Sequence, residues 1–400
     1  MSRSLDVIVT GLGLVTAAGP DTEATWAAIR AGRATARRDP EPGELPISLS
    51  CRVDLADSTP RHSPALRLDP CARMGLTAVT QALERAKIDP ADWDPARVAI
   101  VTGCSLGGMH TAQVAAARLA ADGPTSVSPY FLTGYLINMV SATVALHLGV
   151  RGPVLNVATA CASGTTALGT ARDLLASNQC DIAIVCGADA AVTPAVVTGF
   201  AQLGALSDRG SRPFDTARDG FVIAEGAGAL VLERPEHAAA RSAPHLARLI
   251  GYAATTDAHH LVAPHPEGRE AERALRAALA EAGIGPGDVG HVNAHGTSTP
   301  RGDAVEASLL ARVFTHSPPV TSAKGTLGHT LGAAGAIEAA LTVLALREDT
   351  VPPVAGLTEP DPAFAIDLVT GACRQHENDI AVSNSFGFGG HNAVVVLAKA

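Results

Sequence analysis

The feature that most constrains the fold is a layout that occurs twice, once in each half of the chain. In "NVATACASGTTALGTARDLL", which starts at Asn156, a β-branched run leads to Cys161, and a turn of small residues then opens an Ala-rich stretch. "VTSAKGTLGHTLGAAGAIEAALTVLAL", which starts at Val320, repeats this order with Lys324 and His329 at the turn. Both runs predict a strand, a chemically active turn and a helix. We therefore expect a pseudo-duplicated architecture with its break near residues 235–250.

Short β-branched runs alternate with longer Ala- and Leu-rich stretches along the whole chain, which predicts mixed α/β layers. We assign residues 1–245 to an N-terminal half and residues 246–400 to a C-terminal half. The predicted strands are Val7–Thr10, Val98–Thr102, Val154–Ala158, Ile182–Cys186 and Ala229–Leu232, then Val289–Asn293, Val320–Ser322, Ile380–Ser383 and Ala393–Leu397. The predicted helices are Arg73–Ala86, Thr111–Ala120, Gly164–Leu175, Glu270–Ala282, Asp303–Val313 and Gly335–Leu346.

Composition excludes several classes of function. Of the 400 residues, 47% are hydrophobic and 17% are charged, which suits a large packed core rather than a disordered chain. The formal net charge of −9 gives no general basic field for nucleic acid. No apolar run approaches the roughly 20 residues that span a bilayer. The seven cysteines are an odd number without a CxxC pair, so we expect reduced thiols in a cytoplasmic protein.

Cys161 is the candidate nucleophile. It follows a predicted strand and precedes the helix that begins near Gly164, where unpaired N–H groups and the helix dipole favour a thiolate. Such surroundings can lower a cysteine pKa to roughly 3.5–7.5. The alternative interpretation is a buried, inert thiol, and that interpretation suits the other six cysteines (Cys51, Cys71, Cys104, Cys180, Cys186 and Cys373).

Two histidines and a lysine complete a possible site. His295 and His329 each follow a predicted strand on a turn rich in glycine, and Lys324 stands five residues before His329. Taken singly, each histidine fits a turn or capping role. Taken with Cys161, two imidazoles can donate hydrogen bonds to an oxygen that gains charge during acyl transfer. The fixed charge of Lys324 can bias the ionisation of its neighbours.

Three further motifs leave alternatives open. "SNSFGFGGHN" places Phe386 and Phe388 among glycines, either as a gate whose backbone N–H faces the nucleophile or as a β-hairpin with phenylalanines in the core. "DAHH" (Asp257–His260) lacks a second cluster of metal ligands and does not favour zinc. "VTGLGLVT" has Thr16 where a dinucleotide-binding fingerprint needs its third glycine.

These motifs together resemble the β-ketoacyl-acyl carrier protein synthases, in the elongating branch of the thiolase superfamily. "TACASG", "SRPFDTARDGFVIAEGAGALVLE", "NAHGTSTPRGDAVEA", "SAKGTLGH", "GAAGAIE" and "NSFGFGGHN" occur in the order that the family shows, over the whole chain. The resemblance implies a five-layer αβαβα thiolase-like fold. It also implies a Cys-His-His arrangement formed here by Cys161, His295 and His329.

The resemblance assigns further roles. Lys324 would support the site electrostatically, and the backbone N–H groups of Cys161 and Phe388 would form an oxyanion hole. The remaining assignments concern substrate: Thr297 and Thr299 hold a phosphopantetheine arm, Phe388 gates the acyl pocket, and Leu106 and Phe200 line it. Phe386, on the same loop as Phe388, is a further candidate for substrate binding. Glu306 and Glu338 fall where the family braces its site, and ordinary structural carboxylates would fit there equally.

The implied reaction is a decarboxylating condensation of an acyl-Cys161 intermediate with malonyl-acyl carrier protein, in fatty acid or type II polyketide biosynthesis. It needs no metal or organic cofactor, because the carrier protein supplies the phosphopantetheine arm. The implied partners are acyl carrier protein and either a second copy or a related ketosynthase-like subunit. Carrier docking on Arg61, Arg67, Arg73, Arg209 and Arg212 competes with an interpretation as scattered surface charges.

Two alternative functions remain. The first is a non-catalytic, chain-length-controlling partner subunit, a class that lacks the active-site cysteine. The second is a thiolase or an initiating synthase that uses coenzyme A substrates. Thiolases use a second cysteine near the C-terminus, and initiating synthases use asparagine as their third catalytic residue.

Overall fold

The computed structural model describes residues 6–39, 47–55 and 68–400. Its strands are β1 (Val7–Thr16), β2 (Arg37–Arg38), β3 (Leu49–Ser50), β4 (Val98–Gly103), β5 (Val154–Val157), β6 (Ile182–Asp189), β7 (Gly226–Glu233), β8 (Ala247–Thr256), β9 (His291–Asn293), β10 (Pro319–Thr321), β11 (Thr350–Val351), β12 (Asp367–Leu368), β13 (Arg374–Gln375), β14 (Ile380–Gly387) and β15 (His391–Lys399). Its helices are α1 (Thr22–Arg30), α2 (Pro70–Ala86), α3 (Met109–Asp122), α4 (Phe131–Tyr135), α5 (Met139–Leu148), α6 (Ser163–Ala176), α7 (Pro194–Gln202), α8 (Pro235–Ala240), α9 (Arg269–Glu281), α10 (Pro300–Val313), α11 (Lys324–Leu327) and α12 (Ala334–Arg347).

The sheet confirms the predicted duplication. The first half contributes strands in the order β5-β4-β6-β7-β1, and the second half contributes β10-β9-β14-β15-β8. In each set the first three strands are mutually parallel and the last two are antiparallel to their neighbours. Both halves therefore follow one topology, and antiparallel pairing of β1 with β8 joins them into an 11-stranded sheet with β12 at one edge. The division at residue 245 stays a prediction.

Five layers follow from the way the helices cover this sheet. Helices α2 and α5 pack outside the first set of strands, and α9 with α10 covers the second set. Helices α6 and α12 lie between the two sets and contact strands of both. Every residue of α12 from Ala334 to Leu346 is buried, which explains why that stretch is apolar all round rather than amphipathic. The predicted αβαβα arrangement is confirmed.

The α6–α12 contact depends on glycine. A Cβ added at Gly164 would lie 2.5 Å from the backbone nitrogen of Ala336, and one added at Gly335 would overlap Thr165. The two backbones approach this closely because neither glycine has a side chain. Helix α6 begins at the turn that contains Cys161, and α12 begins five residues after His329, so this contact fixes the distance between the two halves of the site.

The observed elements differ from the predicted ones in a few places. The first strand continues to Thr16, because Gly11 and Gly13 lie inside it and let the backbone of α2 approach. These two glycines therefore do not form a strand-to-helix phosphate turn. Strand β5 lies at one edge of the sheet, where Leu155 is 40% exposed, although its apolar residues are typical of a buried strand. The sequence reading also missed β8, which connects the two halves.

Candidate active site

A tight turn at the end of β5 presents Cys161. Ala160 has a φ of +49°, which reverses the chain between the strand and α6. The Ser163 hydroxyl donates to the Ala160 carbonyl at 2.6 Å and accepts from the Thr159 N–H at 2.9 Å, so it holds the turn from both sides. Cys161 precedes α6 by two residues and is 8% exposed. The thiol is therefore placed at a helix start, as the sequence predicts.

The predicted lowering of the Cys161 pKa is wrong. Burial raises the pKa of this thiol to about 11. The positive charge of Lys324 opposes the rise, as do the backbone N–H groups of Phe388 and of Cys161 itself. Desolvation outweighs these contributions because the turn is enclosed by the second half of the molecule. The resting site therefore holds a neutral thiol, whose proton must be accepted when an acyl group arrives.

His295 follows β9 on a turn that Glu306 of α10 holds in place. The Glu306 carboxylate accepts the backbone N–H groups of His295 at 2.8 Å and of Gly296 at 2.7 Å. Asn384 of β14 donates to the same carboxylate at 3.2 Å. Both proposed readings of Glu306 are therefore compatible: its contacts are structural, and the structure they support is the backbone of a candidate catalytic residue.

His329 belongs to a turn after α11 and is fastened to the first half of the chain. Its N–H donates to the Val222 carbonyl at 2.8 Å, and its carbonyl accepts from the Ala224 N–H at 3.0 Å. The Phe221 ring packs edge-on against the imidazole with ring centroids 5.0 Å apart. A segment of the first half thus sets the position of a histidine from the second half.

The two imidazoles lie together above the thiol. Their ring centroids are 5.5 Å apart, and both rings share one cavity of about 490 Å³ with Cys161. Burial, reinforced by the charge of Lys324, holds the pKa of both His295 and His329 well below the usual histidine range. Both rings are therefore neutral at physiological pH, so each has one N–H to donate and one nitrogen that can accept a proton.

Lys324 and Glu338 form a fully buried ion pair, and the charge of Lys324 acts on the three residues of the site. Burial raises the pKa of Glu338 to about 7, against the attraction of Lys324. Lys324 is also the largest favourable influence on ionisation of the Cys161 thiol. The predicted electrostatic role of Lys324 is thus consistent with its position, and Glu338 serves as its counter-ion.

The Phe–Gly loop connects β14 to β15 directly beside the nucleophile. The N–H of Phe388 faces the Cys161 sulfur, together with the N–H of Cys161. The Phe388 ring lies 5.8 Å from that of Phe200, and the Phe386 ring lies 5.8 Å from that of His295. The loop closes a β-hairpin, and Phe386 and Phe388 are half-buried and line the cavity. A role of this loop as a gate stays a prediction.

The other predicted substrate residues are placed unequally. Thr297, Thr299 and Phe200 line the cavity, and the two threonine hydroxyls are hydrogen-bonded at 3.0 Å. Leu106 packs in the apolar cluster that contains Cys161 but does not line this cavity. Its N–H donates to the buried carboxylate of Asp189, which also accepts from Ser105.

Sequence reasoning missed Asp257, which it weighed only as a metal ligand. Asp257 lines the cavity, accepts from the Asn392 side chain at 2.8 Å and donates its own N–H to the Gly390 carbonyl at 2.9 Å. The Gly389 N–H donates in turn to the Leu261 carbonyl at 2.8 Å. These bonds join the loop after β8 to the Phe–Gly loop, a link between distant segments that no local pattern signals.

Metal-binding clusters and membrane-spanning helices are both absent from the described residues. Within residues 6–39, 47–55 and 68–400, no group of three or more His, Cys, Asp or Glu side chains could hold a metal ion. No helix in those same ranges has the length and hydropathy needed to cross a membrane.

The chain is similar to known proteins over nearly its whole length. The β-ketoacyl synthase N-terminal domain model matches residues 5–238, and the C-terminal domain model matches residues 246–358. The 3-oxoacyl-acyl-carrier-protein synthase 2 of Rhizobium meliloti is 37% identical over 98% of both chains. The enzyme of the same name from Staphylococcus aureus is 36% identical over 100% of this chain and 99% of its own length.

Two solved structures are similar over nearly the whole chain. A type II polyketide ketosynthase in complex with its acyl-carrier protein superimposes with a TM-score of 0.92 at 28% identity, covering 100% of both chains. The ishigamide ketosynthase/chain length factor gives a TM-score of 0.92 at 32% identity, covering 99% of this chain and 100% of the other. With Cys161, His295 and His329 lining one cavity, and with these matches over nearly its whole length, the chain belongs to the β-ketoacyl synthase family.

Proposed function

We propose that the chain catalyses the decarboxylating condensation of an acyl-Cys161 intermediate with malonyl-acyl carrier protein, giving 3-oxoacyl-acyl carrier protein. The observation that supports this most strongly is the juxtaposition of Cys161 with His295 and His329 in one cavity. A nucleophile from the first half and two hydrogen-bonding imidazoles from the second suit two successive reactions at one carbon centre.

The first reaction transfers the acyl group. The Cys161 sulfur attacks the thioester carbon of the acyl-carrier, the bond to the carrier sulfur breaks, and the thiol proton passes to the departing carrier thiolate. Because the resting thiol is protonated, a neutral imidazole is the available relay for that proton. The N–H groups of Cys161 and Phe388 lie near the sulfur, which supports a role for them in stabilising the oxyanion.

The second reaction joins the two chains. Malonyl-carrier loses carbon dioxide, and the N–H groups of His295 and His329 donate to the thioester oxygen, which becomes the enolate oxygen. The enolate carbon attacks the acyl-Cys161 carbonyl, a carbon–carbon bond forms, and the Cys161 sulfur leaves and regains a proton from solvent. Neutral imidazoles suit this role because the enolate oxygen needs a hydrogen-bond donor and does not need to be protonated by a strong acid.

The substrate arm is supplied by a carrier protein, so no further organic cofactor or metal is required by these steps. The cavity offers Thr297 and Thr299 to the polar groups of such an arm. Docking arginines stay a proposal: Arg209 is exposed and pairs with Asp219, Arg73 and Arg212 are half-buried, and Arg61 and Arg67 lie outside the described residues. A cytoplasmic location is proposed from the seven unpaired cysteines.

A partner subunit is proposed at the β5 edge. Leu155 on β5 and Leu146 on α5 are exposed. The adjoining α4 exposes Leu132 and Tyr135, and Tyr130, directly before it, is exposed as well. No strand of the described residues pairs with the outer edge of β5, and apolar side chains beside such an edge favour a second β-sheet protein as the occupant. A second copy of this chain and a related ketosynthase-like subunit both have that form.

The reaction is tested with purified chain, acyl-carrier and malonyl-carrier. Expected products are carbon dioxide and a 3-oxoacyl-carrier that mass spectrometry resolves, with none from Cys161→Ala. A panel of acyl lengths then separates fatty acid from polyketide substrates. If the chain makes no product alone or with a subunit encoded beside it, while still binding carrier, it is instead the non-catalytic partner subunit.

A further inference from the structure

The segment from His295 to Arg301 rises from the base of the cavity to its opening. His295, Thr297, Thr299, Pro300 and Arg301 of this segment line the cavity. The first two are 7% and 8% exposed, Thr299 is half-buried and Arg301 is exposed. One run of seven residues thus places an imidazole at the reaction centre, two hydroxyls above it and a guanidinium at the mouth.

Arg301 differs from the other charged residues that line the cavity, Asp257 and Glu306. Both carboxylates are already engaged by N–H donors: Asp257 by Asn392 and by the backbone of His265, and Glu306 by backbone groups at the reaction centre. Within the described ranges no carboxylate lies in salt-bridge distance of Arg301. A single unpaired cation therefore stands at the cavity mouth.

The neighbouring Arg218 does not share this availability. Its guanidinium pairs with Asp361 at 2.8 Å and donates to the Pro300 carbonyl at 3.2 Å, so it braces the residue before Arg301. Arg301 itself lies in the first turn of α10, a 14-residue helix whose dipole adds partial positive charge at this end. The local field at the mouth consequently favours an anion.

We propose that Arg301 binds the phosphodiester of the carrier's phosphopantetheine arm. This inference rests on the proposed function, which brings that arm into the cavity. The arm ends in a thiol at the reaction centre, has two amides along its length and has a singly charged phosphate at the far end. The cavity offers the matching series: thiol and imidazoles, two hydroxyls, then a guanidinium. Arginine suits the last position because its planar fork can donate two parallel hydrogen bonds to phosphate oxygens.

The first test is binding, which is independent of turnover. The probes are the S-methyl thioethers of 4′-phosphopantetheine and of pantetheine, which differ only in the phosphate. Wild type is expected to bind the phosphorylated probe about tenfold more tightly, and Arg301→Gln is expected to bind both equally. Arg301→Lys should keep part of the difference, and Arg347→Gln, an exposed arginine at the far end of α12, should keep all of it. A wild type without preference, or a preference that survives in Arg301→Gln, would overturn the proposal.

The second test is turnover and identifies the source of the phosphate. Arg301→Gln should raise KM for malonyl-carrier about tenfold and leave kcat within about twofold, because the contact lies far from the reacting atoms. A rise confined to malonyl-coenzyme A would overturn the assignment to the carrier. If the wild type shows no condensing activity but still binds the phosphorylated probe more tightly than the unphosphorylated one, the proposed function is contradicted and the assignment of Arg301 is not.

Discussion

Replacing Gly164 by alanine tests whether the α6–α12 contact sets the geometry of the active site. The new Cβ would lie 2.5 Å from the Ala336 nitrogen and 3.0 Å from the Gly332 carbonyl oxygen. Non-bonded heavy atoms of this kind settle at about 3.5 Å, so the two segments must separate by about 1 Å. Overpacking of this size costs about 1–3 kcal/mol in the free energy of unfolding.

The same displacement moves the nucleophile. Gly164 is three residues after Cys161. The residues that the new Cβ would touch, Gly332 and Ala336, come soon after His329 in the chain. Separation of the two segments therefore lengthens the distance between the Cys161 thiol and the His329 imidazole. A misplacement of about 1 Å can cost about 10²-fold in rate. We therefore expect kcat/KM of Gly164→Ala to fall by about 10²-fold, in addition to the loss of stability.

The assays are steady-state condensation and urea denaturation. Gly199→Ala is the matched control, because Gly199 also lies inside a helix, α7, but a Cβ there meets nothing within 4 Å. That control should keep its activity and gain up to about 1 kcal/mol, since alanine is the better helix former. Wild-type kcat/KM together with an unchanged denaturation midpoint in Gly164→Ala would refute the argument that this contact positions Cys161.

Four further predictions concern the site itself. Cys161→Ala should abolish the acyl adduct that intact-protein mass spectrometry detects after incubation with acyl-carrier. His329→Ala should lower kcat by about 10²–10³-fold, and an equal rise in KM without a change in kcat would contradict its donor role. Lys324→Met should lower the free energy of unfolding by about 3–5 kcal/mol at pH 8, because it leaves the Glu338 carboxylate buried without its counter-ion. The loss should be smaller at pH 6, where Glu338, with a pKa of about 7, takes up a proton. An equal loss at both pH values would contradict this. Burial lowers the pKa of His295 and His329 in the folded chain, so their contribution to stability is present above pH 6.5, the approximate pKa in the unfolded chain, and is lost as the pH falls. Imidazolium signals from either ring near pH 6.5 in an NMR titration of the folded chain would contradict this.

Local chain preferences made the positions of the chemical groups predictable. The turn at Cys161 and the helix α6 after it could be predicted from the sequence. Their formation depends on neighbouring residues: a β-branched run, then small residues, then an Ala-rich stretch. The same holds for the turns that present His295 and His329. The doubled layout was readable as well, because each half repeats one order of strand, turn and helix.

Tertiary packing decided what those groups do. The Cys161 pKa is raised although the helix start alone predicts a lowered one, because desolvation depends on the second half of the chain closing over the turn. The extension of β1 to Thr16 depends on α2 packing against Gly11 and Gly13. The place of Arg301 at the cavity mouth likewise depends on which distant segments meet there. The sequence by itself determined which chemical groups were available and which turn or helix presents each of them. Their ionisation and their partners depend on burial and on nearby charges, to which residues far apart in the chain contribute, so only the folded structure determined them.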